Sequence, residues 1–385
     1  MSGPQAENGQ SLLIGRTIDH LATPAFVVDL DVVKANCERM LARAQKGGLH
    51  LRGQTKTHKT VEGAIYQTGG TRRGLVTSTL VESEMYANAG FDDILYGYPI
   101  LSTHMQRNLK LAQKLESYHL MVTNKESIQI LLANPPPPGK KWSVFMKIDC
   151  GNSREGFWWS DQDCIEAALE IRKYPAVMTL QGTYVHCGNT YKSQDSNQVE
   201  KTRDETIKML IGVSKRMSEH GIKFDNIGIG STPSCSHDSA LYAQISEIHP
   251  GNYVFYDAQQ EKLGSCGMGD VAGKVLTRVI GHSVRRNQLL VDCGFSALTK
   301  QGFQELDQSF ARVEGHPMLK LCDMTQEIGK VGWDLDDSIN FDDFPVGSTL
   351  SLIPYHACAT AAMYPVYYVH QNQMIKEEWR PCRGW

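Results

Sequence analysis

Between Leu49 and Asp257 the chain alternates short runs rich in β-branched and aromatic residues with longer stretches whose apolar residues recur every three to four positions. The short runs are LHLRGQTKT, GLVTSTL, DDILYGYPI, SYHLMVT, SVFMKIDCG, TLQGTYVHCG, FDNIGIGST and EIHPGNYVFYD, which makes eight strand candidates. Segments between them, such as VESEMYANAG, NKESIQILLAN, SDQDCIEAALEIRKYP and QVEKTRDETIKMLIGVSKRMSEHG, carry helical spacing and often stop at Gly or Pro. Eight alternations of strand and helix predict an α/β protein built on a parallel (β/α)8 barrel. NPPPPGKK reads as a rigid loop.

The flanks follow a different pattern. PAFVVDLDVVKANCERMLARAQKGG predicts a strand leading into a helix. After Lys262, the segments KVLTRVIGHSVRRNQLLVDCGF, TLSLIPYHACA and VYYVHQNQMIKEEW predict strands joined at Gly and Asn turns, hence a second, mainly antiparallel β domain. The shift in composition at QQEKLGSCGMGD marks the boundary, giving a barrel over 26–262 and a β-rich domain over 1–25 plus 263–385.

Composition narrows the partners. A chain of 385 residues suits a barrel plus a second domain, and a net charge of −3 offers no basic field for nucleic acid or an anionic membrane. The N-terminus MSGPQAENGQSLL has no basic segment followed by a sustained apolar run. The most apolar stretch, Leu350 to Val369, is interrupted by Pro354, His356 and Pro365 and so reads as buried strands. Ten cysteines without a CxxC pair point to reduced thiols in the cytosol, and the expected partner is a small molecule.

In a (β/α)8 barrel the active site forms at the C-terminal ends of the strands, and the residues ending these runs are polar. They include Lys56 and His58, Thr77 and Thr79, Asp149 with Arg154, Tyr184 with His186 and Asn189, Ser231 and Thr232, and His249 with Asn252 and Tyr256. A lysine at the end of a buried strand either snorkels to water or has its charge managed by a partner, as in Schiff-base lysines. GIGSTPSC, from Gly228 to Cys235, offers glycines for close backbone approach and hydroxyls before a helical turn, which suits a phosphate. An amine on the first strand and a phosphate cradle on the seventh are what pyridoxal 5'-phosphate needs.

The motifs KTHKT, DCGNSREG, YVHCGNTY, IGSTPSC, HPGNYVFYD, DCGF, PYHACAT and the terminal RGW closely resemble the eukaryotic D-serine dehydratase family, within the alanine racemase-like, fold type III enzymes. The resemblance runs from about Thr23 to Trp385 and implies that Lys56 forms the Schiff base with the cofactor, Lys59 being a neighbour on the following helix. It matches Tyr184 and Tyr191 to cofactor-contacting tyrosines, Gly230, Ser231 and Thr232 to the phosphate cradle, and Arg154 to a contact with the phenolic oxygen. His356 and Cys358, two apart on a predicted strand, share a face and either hold a metal or form a core cysteine beside a hydrogen-bonded histidine. The resemblance implies that they bind Zn2+. It also implies a D-amino acid substrate and a homodimer.

Two positions depart from the family pattern. Where relatives have Arg-Pro-His before KTHK, this chain has Arg52, Gly53 and Gln54, and where they read Gln-Glu-His-Gly it has Ile328. The readings that stand beside D-serine dehydration are D-threo-3-hydroxyaspartate dehydration, D-threonine aldol cleavage and a non-catalytic PLP-binding protein. His58 either orients Lys56 or caps the next helix.

Overall fold

The eight predicted strand segments pair as one parallel sheet that closes on itself, in a computed structural model that describes residues 12–333 and 338–385. Closure runs through a broken first strand: His50–Leu51 pairs with Glu247–Ile248, while Gly53–Gln54 pairs with Arg73–Thr77. Around the ring from there follow Asp93–Pro99, Ser117–Val122, Trp142–Asp149, Met178–His186 and Asn226–Gly230. Val76, Leu95, Met121, Phe145 and Tyr184, one from each of five strands, form an apolar cluster of the kind that fills a barrel of this size.

The break in the first strand falls on Arg52. Its guanidinium is buried, with Nη1 2.6 Å from Asp93 Oδ1 and Nε 3.0 Å from Glu247 Oε2. His119 and His50 extend the cluster at Asp93 and Glu247. Buried charges persist only when paired in this way, because removing one partner strands the other.

Local sequence starts the intervening helices where expected. The side chains of Thr60, Thr79, Asn124 and Asp195 each accept a backbone N–H at the starts of Val61–Gln67, Leu80–Asn88, Lys125–Ala133 and Ser196–Glu219. Each such cap is worth roughly 1 kcal/mol. Thr79, predicted among the site residues, is thus a cap, and Thr77 Oγ1 bonds Ser83 Oγ at 2.6 Å.

The second sheet is antiparallel except at one pairing. Its order is Gln288–Val291, Gly329–Trp333, Leu319–Met324, Ala311–Val313, Thr349–Pro354, Gly273–Ser283, Ala25–Asp29, Tyr367–Gln371 and Met374–Trp379, with Gln288–Val291 also paired to Gly273–Ser283. The last two strands form a hairpin whose turn residues, Asn372 and Gln373, both have positive φ, as a two-residue turn matched to strand twist requires.

The compact units depart from the predicted domain limits at the N-terminus, across Val254–Ser265 and at Cys382–Trp385. One compact unit takes residues up to Asn36, Val254–Lys262 and Cys266–Pro381, and the other takes Cys37–Tyr253, Leu263–Ser265 and Cys382–Trp385. Ala25–Asp29, placed in the barrel from sequence, is a strand of the antiparallel sheet, between Gly273–Ser283 and Tyr367–Gln371. The physical reason is that both of its faces are covered there. Phe26 packs against Phe255, Tyr364 and Tyr367 with ring centroids 5.7, 5.6 and 5.0 Å away, and Ala25 and Val27 join Ile18, Leu21, Leu276 and Ile375. Among the described residues no helix is long and apolar enough to cross a membrane.

Candidate active site

Lys56 stands on a short turn just beyond the C-terminal end of Gly53–Gln54. The turn is closed by backbone bonds from His58 and Lys59 to the Thr55 carbonyl, at 3.2 and 2.9 Å, and Thr55 N–H bonds the Val76 carbonyl of the next strand. Lys56 itself is exposed, and its backbone N–H donates to Gln54 Oε1 at 3.1 Å. Gln54 therefore braces the lysine through its backbone.

His58 is fully buried. Its Nδ1 accepts the Thr60 N–H at 3.1 Å and its Nε2 meets Gln67 Oε1 at 3.2 Å, which makes it part of the entry to Val61–Gln67. Burial holds its pKa at about 4, so the ring is neutral. Lys59 was expected on that helix; it precedes it, with φ 53°.

The loop after Trp142–Asp149 brings Arg154 to the site. Asp149 Oδ1 accepts the N–H groups of Gly151, Asn152 and Ser153, and Oδ2 accepts that of Arg154. The Arg154 guanidinium forks onto Glu155, whose Oε1 also lies 3.2 Å from Lys147 Nζ. Lys147 is buried, sits 4.6 Å above the Tyr184 ring and has its pKa pushed down to about 8, chiefly by burial. It was missed in the sequence, although a lysine inside SVFMKIDCG was the available signal.

Tyr184 lines the barrel interior and stacks on His249 at 4.1 Å, while His249 Nδ1 lies 3.5 Å from Glu247 Oε1. Burial keeps His249 neutral, near a pKa of 3. His186 meets the Gly230 carbonyl through Nδ1 at 3.0 Å; burial and then the charges of Lys147, Lys56 and Arg154 hold it well below the usual range. The structure thus brings Lys56, Lys147, Arg154, Tyr184 and His186 into one electrostatic environment.

At the predicted phosphate cradle, Ser231 caps the short helix Thr232–Cys235 through a reciprocal exchange with Ser234, and its Oγ is 2.9 Å from Thr190 Oγ1. Tyr191 follows Thr190 on the turn Gly188–Lys192. Thr232 Oγ1 accepts the N–H groups of Gly251 and Tyr253 at 3.3 Å. Close approach explains the glycines, but from within the protein: a Cβ on Gly228 would fall 2.4 Å from His249 Nε2, and one on Gly230 2.4 Å from His249 Cβ.

In the antiparallel unit, Thr349–Pro354 ends before the predicted metal pair. His356 and Cys358 do not alternate on a strand: His356 is the N-cap and Cys358 the second residue of the helix Ala357–Ala361. His356 Nδ1 meets Gln301 Oε1 at 2.9 Å. Asp257 Oδ2 accepts the Ala357 N–H at 2.8 Å, and Thr360 Oγ1 accepts the Thr299 N–H. Among the described residues no group of three or more His, Cys, Asp or Glu is arranged to hold a metal. Ile328 lies exposed, its carbonyl bonded to the Thr325 N–H.

A parallel barrel with a lysine at its mouth, accompanied by an antiparallel sheet, defines an alanine racemase-like protein, and residues 28–259 match the family model "Alanine racemase, N-terminal domain". Residues 272–370 match "Putative serine dehydratase domain". D-serine dehydratase of Dictyostelium discoideum is 34% identical over 96% of this chain and 98% of its own length, and that of Schizosaccharomyces pombe is 29% identical over 97% and 94%. D-threo-3-hydroxyaspartate dehydratase from Delftia sp. HT23 superposes with a TM-score of 0.90 at 28% identity, covering 96% of this chain and 100% of that one. A cysteine-to-alanine variant of that enzyme, TM-score 0.89, is described as being in the metal-free form. The chain belongs to the D-serine dehydratase family, and it is an enzyme of the lyase class.

Proposed function

We propose that this chain binds pyridoxal 5'-phosphate at Lys56 and removes the β-hydroxyl of D-serine, giving pyruvate and ammonia. The observation that carries the reading is the setting of Lys56: an exposed amine at the C-terminal mouth of the barrel, sharing its field with Lys147, Arg154 and a neutral His186. The donor set fits the cofactor. An amine is available for the aldehyde, Tyr184 and Tyr191 for the ring, Arg154 for the phenolic oxygen, and the turn of Gly230, Ser231 and Thr232 for the phosphate. His356 and Cys358 offer an imidazole and a thiol for a divalent metal, taken as Zn2+, and two protein ligands leave positions open for water and substrate.

When bound, the cofactor supplies an aldehyde and an electron sink, and the metal a Lewis acid for the leaving hydroxyl. Lys56 Nζ would be the base that takes the α-proton. His186, neutral, presents an uncharged ring to the site, and Glu155 holds Arg154 and Lys147 in fixed relation. The reading includes a homodimer and a cytosolic setting.

The test is to purify the protein and record cofactor absorbance before and after adding D-serine. Pyruvate is assayed with and without a chelator, and again with zinc restored. Pyruvate formation abolished by the chelator and rescued by zinc is expected; bound cofactor without pyruvate would sink the D-serine assignment. The fit to the hydroxyaspartate dehydratase favours D-threo-3-hydroxyaspartate as the second substrate to assay.

A further inference from the structure

Glu82 is a wholly buried carboxylate on Leu80–Asn88, and four donors converge on it. Thr55 Oγ1 donates to Oε2 at 2.9 Å; Ser78 Oγ and Thr79 Oγ1 donate to Oε1 at 2.7 and 3.1 Å, and Lys59 Nζ lies 3.2 Å from Oε1. Thr55 and Lys59 are the first and last residues of the turn that carries Lys56, so one carboxylate grips the turn at both ends. One helical turn along, Tyr86 donates its hydroxyl to the Thr60 carbonyl at 3.3 Å, as the i, i+4 spacing allows. Lys59 holds a left-handed φ of 53°, and its carbonyl accepts the Cys382 N–H at 2.9 Å.

We propose that Glu82 is the positioning residue for Lys56: by joining Thr55 to Lys59 it sets the span of the turn and so the direction in which the Lys56 side chain leaves the backbone. A buried carboxylate is tolerated only with its donors in place, so the charge orders Thr55 and Lys59 where an apolar side chain would merely fill the space. Lys56 is a long, flexible side chain, and a small rotation of its turn moves Nζ much further than Cα. The inference rests on the reading that Lys56 carries the cofactor.

The test uses the full chain with three variants: Glu82→Gln, Thr55→Val and Ser78→Ala. Each is checked for folding by circular dichroism, loaded with pyridoxal 5'-phosphate and reduced with borohydride, and the labelled peptide is mapped by mass spectrometry. The pH midpoint of the cofactor absorbance and the affinity of the apoprotein for the cofactor are then measured beside kcat and KM. Since a misplacement of about 1 Å costs about 10²-fold, Glu82→Gln is expected to lower kcat by about that factor with KM little changed. Its absorbance midpoint is expected to shift, Thr55→Val to follow in the same direction, and Ser78→Ala, whose donor lies outside the turn, to shift it least.

A label on Lys56 with kcat and absorbance profile unchanged in both Glu82→Gln and Thr55→Val would overturn the proposal. So would Ser78→Ala lowering kcat as much as Thr55→Val, since that would make the cluster a matter of packing alone. If Glu82→Gln does not fold, Thr55→Val, which keeps the Lys59–Glu82 ion pair, decides. A label that maps elsewhere would remove the reading of Lys56 itself and the proposal with it.

Discussion

The turn carrying Lys56 is held by ions, whereas the helix start carrying His356 and Cys358 is held mainly by amides and hydroxyls. Around Lys56 stand the pairs Lys59 with Glu82, Lys147 with Glu155, and Arg154 with Glu155, and deeper in the barrel Arg52 with Asp93 and Glu247. At His356 the ties are Gln301 to its ring, Asp257 to the Ala357 N–H and Thr360 to the Thr299 N–H. The difference teaches where each site is vulnerable. The first is tuned by charge and answers to pH; the second is set by geometry and answers to the loss of single hydrogen bonds.

Four changes test this contrast, beginning with the largest. Lys56→Ala should abolish covalent cofactor attachment and lower kcat/KM by about 10⁴-fold, the upper range for a lost proton-transfer group, while metal content measured by emission spectroscopy stays the same. Cys358→Ala should empty the metal site and lower pyruvate formation by about 10³-fold, in line with a Lewis acid worth several kcal/mol, and leave the cofactor absorbance of the barrel untouched. A spectrum altered as much as by a barrel mutation would break the comparison.

Acidification should act mainly on the barrel unit. His58 and His249 have folded pKa values of about 4 and about 3, below the ordinary 6.5, through burial. Above 6.5 both folded and unfolded chains carry neutral rings. As pH falls below 6.5 the unfolded chain takes up protons that the folded one refuses, so stability declines toward pH 4 and 3, by on the order of 3 kcal/mol per histidine. Hydrogen exchange across pH 7 to 4 should show the strands around Glu247–Ile248 losing protection before those of the antiparallel sheet. The smallest effect belongs to Gln301→Ala, which removes one tie to the His356 ring and should weaken metal affinity by about 10-fold to 100-fold in a competition titration. Equal loss of cofactor affinity in that variant would contradict the separation.

The barrel was legible because strand runs end in turn signals and the helices Val61–Gln67, Leu80–Asn88, Lys125–Ala133 and Ser196–Glu219 open on Thr, Asn or Asp. The broken first strand was not, since nothing in LHLRGQTKT shows that Arg52 turns inward to a carboxylate on the last strand of the ring, which closes beside it. Ala25–Asp29 misled for a related reason: a central strand covered on both faces reads as an apolar run whichever sheet it joins. Lys56, Arg154, Tyr184 and the Ser231 turn, expected at the site from position and motif, all lie in the barrel unit. Lys147 and Glu82 escaped because their partners, Glu155, Thr55 and Lys59, become visible only when the strands are set side by side. The predicted strand through His356 and Cys358 failed because PYHACAT contains its own helix start, with two alanines following the histidine.

The position of Ala25–Asp29 also bears on how the chain is made. Val27 pairs with Lys274 on one side and Tyr368 on the other, so a strand that leaves the ribosome early has no neighbours until the whole barrel has been synthesised. The barrel can assemble during translation, while the antiparallel sheet waits for the last hairpin. No single cut in the gene separates the two units without leaving one sheet lacking its central strand.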